Sequence, residues 1–182
     1  MSFDKEKNVK RSKILAGVLI MGWAHALWGQ VEVPAENKEQ PQLDALTPFD
    51  GRAQQLLKAL EAGKPDEVSD LFFPAAPFEI LKDIKDPLAY HNQLVKWYRA
   101  DLQREHDRLK SKGPLTFVKF QTGRCVWKKN RTEGNKIPYW SCYRNKLVAK
   151  EQNEKEVVIE VRAIINWGKE WYITHLGPIP KK

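Results

Sequence analysis

The sequence predicts an α+β domain: N-terminal helices, then a curved antiparallel sheet packed against one long helix. Three observations predict it. Apolar residues recur at helical spacing as far as Lys112, and beyond Gly113-Pro114 they alternate at strand spacing. Residues 87–112 carry one apolar stripe opposite a charged face, the mark of a helix covered on one side only.

The elements follow in order. Lys5, Lys7, Lys10, Arg11 and Lys13 make a basic start, Ile14 to Trp23 an apolar run, and Ala24-His25-Ala26 a small-residue site. This layout predicts a secretory signal peptide over 1–26, cleaved near Ala26, and a secreted or periplasmic protein. The alternative is a retained membrane anchor. A spanning helix needs roughly 20 apolar residues, and Ile14 to Val33 supplies that length only by including His25, Gln30 and Glu32. Residues 27–46, polar and proline-containing, read as a flexible linker. The domain then runs over 47–178, with 179–182 as a tail.

Thr47-Pro48 opens the first helix, with Thr47 as cap and Pro48 at the first helical position. Phe49, Ala53, Leu56, Leu57 and Leu60 form its buried face, and Gly63 ends it. A second short helix runs from Pro65 to Pro74 and turns Val68, Leu71 and Phe72 inward. Residues 75–87 read as irregular, with a short strand around Phe78–Leu81. The long helix extends from Pro87 to Lys112 with Leu94, Val95, Tyr98, Leu102 and Leu109 on its apolar side. Four strands follow at 115–128, 137–149, 156–166 and 170–176, joined by turns rich in Gly, Asn and Lys.

Charge and composition exclude several classes. The chain has 182 residues and a net charge of +8. The leader holds five of the 31 basic and two of the 23 acidic residues, so the remainder carries 26 against 21, a net +5. That remainder is one ordinary domain. Lys and Glu are interspersed, so no nucleic-acid partner is expected. CxxC and HxxxH spacings are missing, as are a serine-nucleophile elbow and a phosphate-cradling glycine loop, so no metal or cofactor is expected. Asn130-Arg131-Thr132 fits a glycosylation sequon, relevant in a eukaryotic host.

Cys125 and Cys142 define a hairpin. Antiparallel partners keep a constant sum of residue numbers, so pairing the cysteines also sets Trp127 opposite Trp140. All four side chains then share one face. A structural disulfide is expected; the layout of a redox-active pair is missing.

Ala59 to Pro74, ALEAGKPDEVSDLFFP, resembles the opening helical pair of nuclear-transport-factor-two-like domains. Trp167 to Leu176, WGKEWYITHL, is similar to the last hairpin of the same superfamily. The resemblance spans about residues 48–176. It implies a cone in which the long helix lies across a concave sheet, and such cones hold ligands, host acid–base pairs or serve as scaffolds.

Site candidates follow. His91 falls within the apolar stripe of the long helix and is the one weak catalytic candidate, as acid or base. The plainer reading is a packed histidine bound to a backbone carbonyl. Asp101, Glu105 and His106 lie together on a flank of that helix, where nearby arginines favour a salt-bridged surface. His91, Tyr98, Trp127, Trp140 and Trp171 are the candidates for lining a ligand cavity, and Trp97, Tyr139, Tyr143 and Tyr172 add further aromatics. His175 is read as a strand residue with no chemistry. The leading expectation is a non-catalytic binding or scaffold domain for a small ligand or a protein. The alternatives are an enzyme (lyase, isomerase or hydrolase) using His91, and a membrane-anchored assembly module resembling the periplasmic domains of type IV secretion scaffolds. A membrane partner is expected only if the leader is retained.

Overall fold

A computed structural model describes residues 31–178. The expected leader and the 179–182 tail lie outside the described residues. The order is α1 (Asp50–Ala62), a 3-10 segment (Pro65–Leu71), α2 (Ala75–Leu81), α3 (Pro87–Leu109), then β1 (Thr116–Gln121), β2 (Arg124–Lys128), β3 (Tyr139–Lys150), β4 (Glu156–Trp167) and β5 (Glu170–His175). The five strands form one antiparallel sheet in the order β1-β3-β4-β5, with β2 also on β3. The α+β class is as the periodicity predicts.

α3 is a one-sided helix. Asp86 caps it by accepting from the Ala89 backbone N–H at 2.9 Å, and Pro87 occupies the first turn. Leu94, Tyr98, Leu102 and Leu109 are buried along it. The helix ends three residues short of the expected Lys112, and the chain turns at Gly113 with φ +72°.

α1 starts later than expected. Phe49 is already in the helical region and makes no side-chain cap. Thr47 spends its hydroxyl elsewhere, donating to Glu170 Oε1 at 2.7 Å, while its backbone N–H donates to Lys169 O at 2.9 Å. The residue read as a cap therefore ties α1 to the β4–β5 turn. Gly63 ends the helix at φ +64°, as expected.

Residues 75–87 hold a helix where a short strand was expected. α2 turns Phe78 and Leu81, three apart, into the core at 2% and 0% exposure. At a spacing of three positions a helical turn buries both side chains, whereas a strand would put them on opposite faces.

The expected strand 115–128 is two strands. From Lys119 onward β1 and β2 pair with β3 in one register, Phe120↔Leu147 and Gln121↔Lys146, then Arg124↔Tyr143 and Cys125↔Cys142, after a one-residue shift between Phe117 and Lys119. The gap at Thr122-Gly123 faces Arg144, whose φ is +56°. A Cβ on Gly123 would lie 2.0 Å from Tyr143 O, so only glycine passes there. Asn145, fully buried, fills the break: its Oδ1 accepts from Gly123 N–H at 3.0 Å, and its Nδ2 donates to Cys142 O and Val161 O.

The cysteine register is as the arithmetic gives it. Cys125 pairs with Cys142 and Trp127 with Trp140, a disulfide joins the cysteines, and the two indoles meet edge to face at 5.6 Å.

The linker expectation fails over residues 34–46. Two 3-10 turns, Ala35–Asn37 and Leu43–Ala45, form a strap held to the sheet. Asn37 is fully buried. Its Nδ2 donates to Pro138 O and Asn166 O, and its Oδ1 accepts from Gly168 N–H at 2.7 Å. Trp140 Nε1 donates to Pro41 O at 2.9 Å. A polar composition marked this stretch as loop, but one buried asparagine with its hydrogen bonds met suffices to dock it.

Among the described residues no helix is long and apolar enough to cross a membrane. The disulfide closes a loop with a sequence separation of 17, a length for which loop entropy gives about 3 kcal/mol. Reduction is therefore expected to lower the thermal midpoint by roughly 6–12 °C. Scanning calorimetry with and without reductant checks this, and an unchanged midpoint would refute the stabilising role.

Candidate functional site

Alternation along β3 and β4 divides the sheet into two faces. Trp140, Cys142, Ile164 and Asn166 share one face, and the strap meets it through Trp140 and Asn166. Tyr139, Ser141, Tyr143, Ala163 and Ile165 share the other, and there a cavity of about 840 Å³ opens beneath α3. This volume lies within the roughly 300–1,000 Å³ of small-molecule pockets.

Four elements build the walls. The sheet supplies the floor, completed by Thr174 and His175 of β5. Tyr90, Leu94 and Trp97 of α3 and Phe78 of α2 cover it. Lys82, Ile84, Glu133 and Arg162 complete the lining. The wall near Lys82 exists because two loops zip together: Asp83 N–H donates to Gly134 O at 2.7 Å and Lys136 N–H to Leu81 O at 2.8 Å. Ile84 and Tyr90 are exposed, at 39% and 40%.

The charges are unevenly matched. Glu133 is the one lining carboxylate, and it is held by Lys128 at 2.5 Å. Lys82 Nζ donates to Asn135 Oδ1 at 2.6 Å and lies 6.0 Å from the Tyr139 ring centroid. Burial pulls the Lys82 ammonium below its ordinary range. Neither Lys82 nor Arg162 joins a salt bridge among the described residues. Burial pushes the Tyr139 phenol up, which keeps it a neutral donor.

His175 is the titratable group nearest to chemistry. Its Nδ1 lies 3.3 Å from Thr174 Oγ1, and that hydroxyl donates to Ala163 O. The hydroxyl proton being used, Nδ1–H donates to Thr174 and Nε2 carries the lone pair. Nε2 is buried with no hydrogen-bond partner among the described residues. Burial lowers the His175 pKa from 6.5, and the Arg162 charge lowers it further, against a smaller opposing effect of Asp101. The imidazole is thus held neutral at pH 7.

None of the five residues expected to line a ligand cavity lines this one, although His91 and Tyr98 line a second. His91 is buried between the Phe72 and Phe78 rings, and its Nε2–H donates to Phe73 O at 2.7 Å. It lines a separate cavity of about 440 Å³ on the other flank of α3, together with Tyr98. Tyr98 donates its hydroxyl to Val68 O at 3.1 Å. The stripe reading placed both on the buried side of α3 correctly, but that side divides between two cavities. Trp127 and Trp140 sit with the disulfide on the opposite sheet face. Trp171 is buried beside Asn166 on that same face. Among the remaining aromatics, Trp97, Tyr139 and Tyr143 do line the large cavity, and Tyr172 lines the small one.

The Asp101–Glu105–His106 flank is structural. Asp101 accepts from Gly177 N–H at 2.8 Å and pairs with Arg104, Glu105 pairs with Arg108, and His106 Nδ1–H donates to Leu60 O. Among the described residues no group of His, Cys, Asp and Glu has the arrangement to hold a metal.

No family model, curated protein or solved structure matches the chain. Fold and site together define an α+β domain with a large aromatic-walled cavity whose two lining cations join no salt bridge among the described residues.

The His175 environment sets a pH dependence. The folded state binds the His175 proton more weakly than the unfolded chain, so the unfolded state takes up more protons as pH falls through 6.5. Stability is therefore full above that pH and declines below it. His175→Gln is expected to flatten this part of the profile in urea denaturation between pH 7.5 and 5. A profile with the same slope in the variant would assign the decline to other groups.

Proposed function

We propose that this chain is an exported, non-catalytic binding domain that holds a small ligand between α3 and the sheet. The observation that carries this reading is the cavity of about 840 Å³ with an apolar and aromatic lining and few polar groups. A resting core of this size would collapse around so large a void unless its walls were held apart. Here they are held apart by the Leu81–Asp83 zipper to the 134–136 loop and by the bend at Asn145. The nuclear-transport-factor-two-like cone is the fold reading that accompanies it, supported by the two sequence resemblances and by a long helix lying over an open curved sheet. Export is supported by the three-part leader pattern and by a disulfide, which persists in oxidising compartments.

The binding test uses the full chain and a neutral fluorescent probe, N-phenyl-1-naphthylamine. Saturable one-to-one binding is expected. Ser141→Leu and Ala163→Phe, which intrude on the cavity from its floor, are expected to weaken it at least tenfold while the protein still melts cooperatively. No saturable binding to the wild type, or equal binding to both filled variants, would overturn the cavity reading. Export is tested separately, by the mass of the protein recovered from its native host. A start near residue 27 is expected; an intact N-terminus would instead favour the anchored alternative.

A further inference from the structure

The charges around the cavity narrow the class of ligand. Neither lining cation, Lys82 or Arg162, joins a salt bridge among the described residues, whereas the lining carboxylate, Glu133, pairs with Lys128 and acts on Lys82 only through space. The wall therefore carries a net positive charge in a partly enclosed, apolar setting, where Coulomb attraction is stronger than in open water. Such charge is costly to leave unpaired. A bound anion relieves that cost, and a bound cation adds to it. Tyr139 is kept as a neutral hydroxyl beside Lys82, a further hydrogen-bond donor for an oxyanion. Away from the cations the walls are Phe78, Leu94, Trp97 and Ile165, which offer only apolar and ring surface.

We infer that the cavity selects a monocarboxylate with an aromatic or branched apolar body, its carboxylate held at Lys82 and Arg162 and its body along Phe78, Leu94 and Trp97. The inference rests on the cavity reading given above and specifies its ligand. A carboxylate pairs with the guanidinium of Arg162 through charge-assisted hydrogen bonds. Asn135 keeps Lys82 in place by accepting one of its three N–H groups, leaving the other two for a ligand.

Three compounds of one shape test it: 4-phenylbutyrate, 4-phenylbutyramide and 4-phenylbutylamine, each competed against N-phenyl-1-naphthylamine on the full chain. The carboxylate is expected to bind roughly tenfold or more tightly than the amide, the value of one charge-assisted hydrogen bond, and the amine most weakly. Lys82→Met combined with Arg162→Gln is expected to bring the carboxylate to the level of the amide while the neutral probe still binds. Lys146→Gln, an exposed change on β3, is expected to leave the preference as it is. Equal binding of carboxylate and amide, or a preference that survives the double variant, overturns the anion inference and leaves the cavity reading standing. Failure of the neutral probe itself overturns both.

Discussion

Asn145 sits where the sheet bends, and its carboxamide takes over the backbone pairing that the bend removes. Between Gln121 and Arg124 the edge strand is interrupted, Arg144 turns to a positive φ, and three backbone groups about the break turn to a side chain for a hydrogen bond. One side chain meets all three, accepting from Gly123 and donating to Cys142 and Val161. Loss of such a group costs the desolvation of every partner it served, not one bond. Gly123 is the other half of the device, since the strand passes so close to Tyr143 that no Cβ fits. Without the break, β1 and β2 would continue as one regular strand along β3. With it, the sheet curls, and one face becomes concave enough to hold a cavity rather than a filled core.

The opposite face depends on a different pair of asparagines. Asn37 reaches from the strap to the β4–β5 turn, and Asn166 receives Trp140 N–H and donates to Gly168 O. The two share Gly168, one at its N–H and one at its carbonyl. This arrangement fastens residues 34–46 over Trp140 and Asn166, so the domain begins sixteen residues before α1. The aromatic payload of that face, Trp127 and Trp140, is spent on packing.

Much of this was legible in the sequence, for reasons that can be named. The α3 stripe and the β3–β4 alternation are periodic over ten residues or more, long enough for burial to dominate. The cysteine register followed from integer arithmetic. What escaped detection was local and cooperative. α2 is seven residues with two buried side chains, too short for its period to declare itself. The break at Thr122-Gly123 is set by the backbone of a neighbouring strand, which one-dimensional periodicity does not contain. The strap reads as polar because its anchoring residue, Asn37, is polar; its burial depends on partners more than a hundred positions away.

The misplaced cavity residues show the same limit most clearly, and also how it could have been narrowed. The register that set Trp127 opposite Trp140 already separated them from Tyr139, Ser141 and Tyr143, because adjacent residues on a strand face opposite ways. Both sets could not line one cavity. The choice between the faces turned on which one the helix covers. With residues 27–46 read as a tether, the sequence offers no separate cover for the tryptophan face and does not say which face the helix covers. Once the strap is placed on the tryptophans, the tyrosine face is the one left for α3, and the groups beside it follow: Lys82 through the 134–136 loop, and His175 through its pairing with Ala163. The cavity is thus defined by subtraction, as the end of the helix-covered face that α1, packed on Phe120 and Tyr172, does not fill.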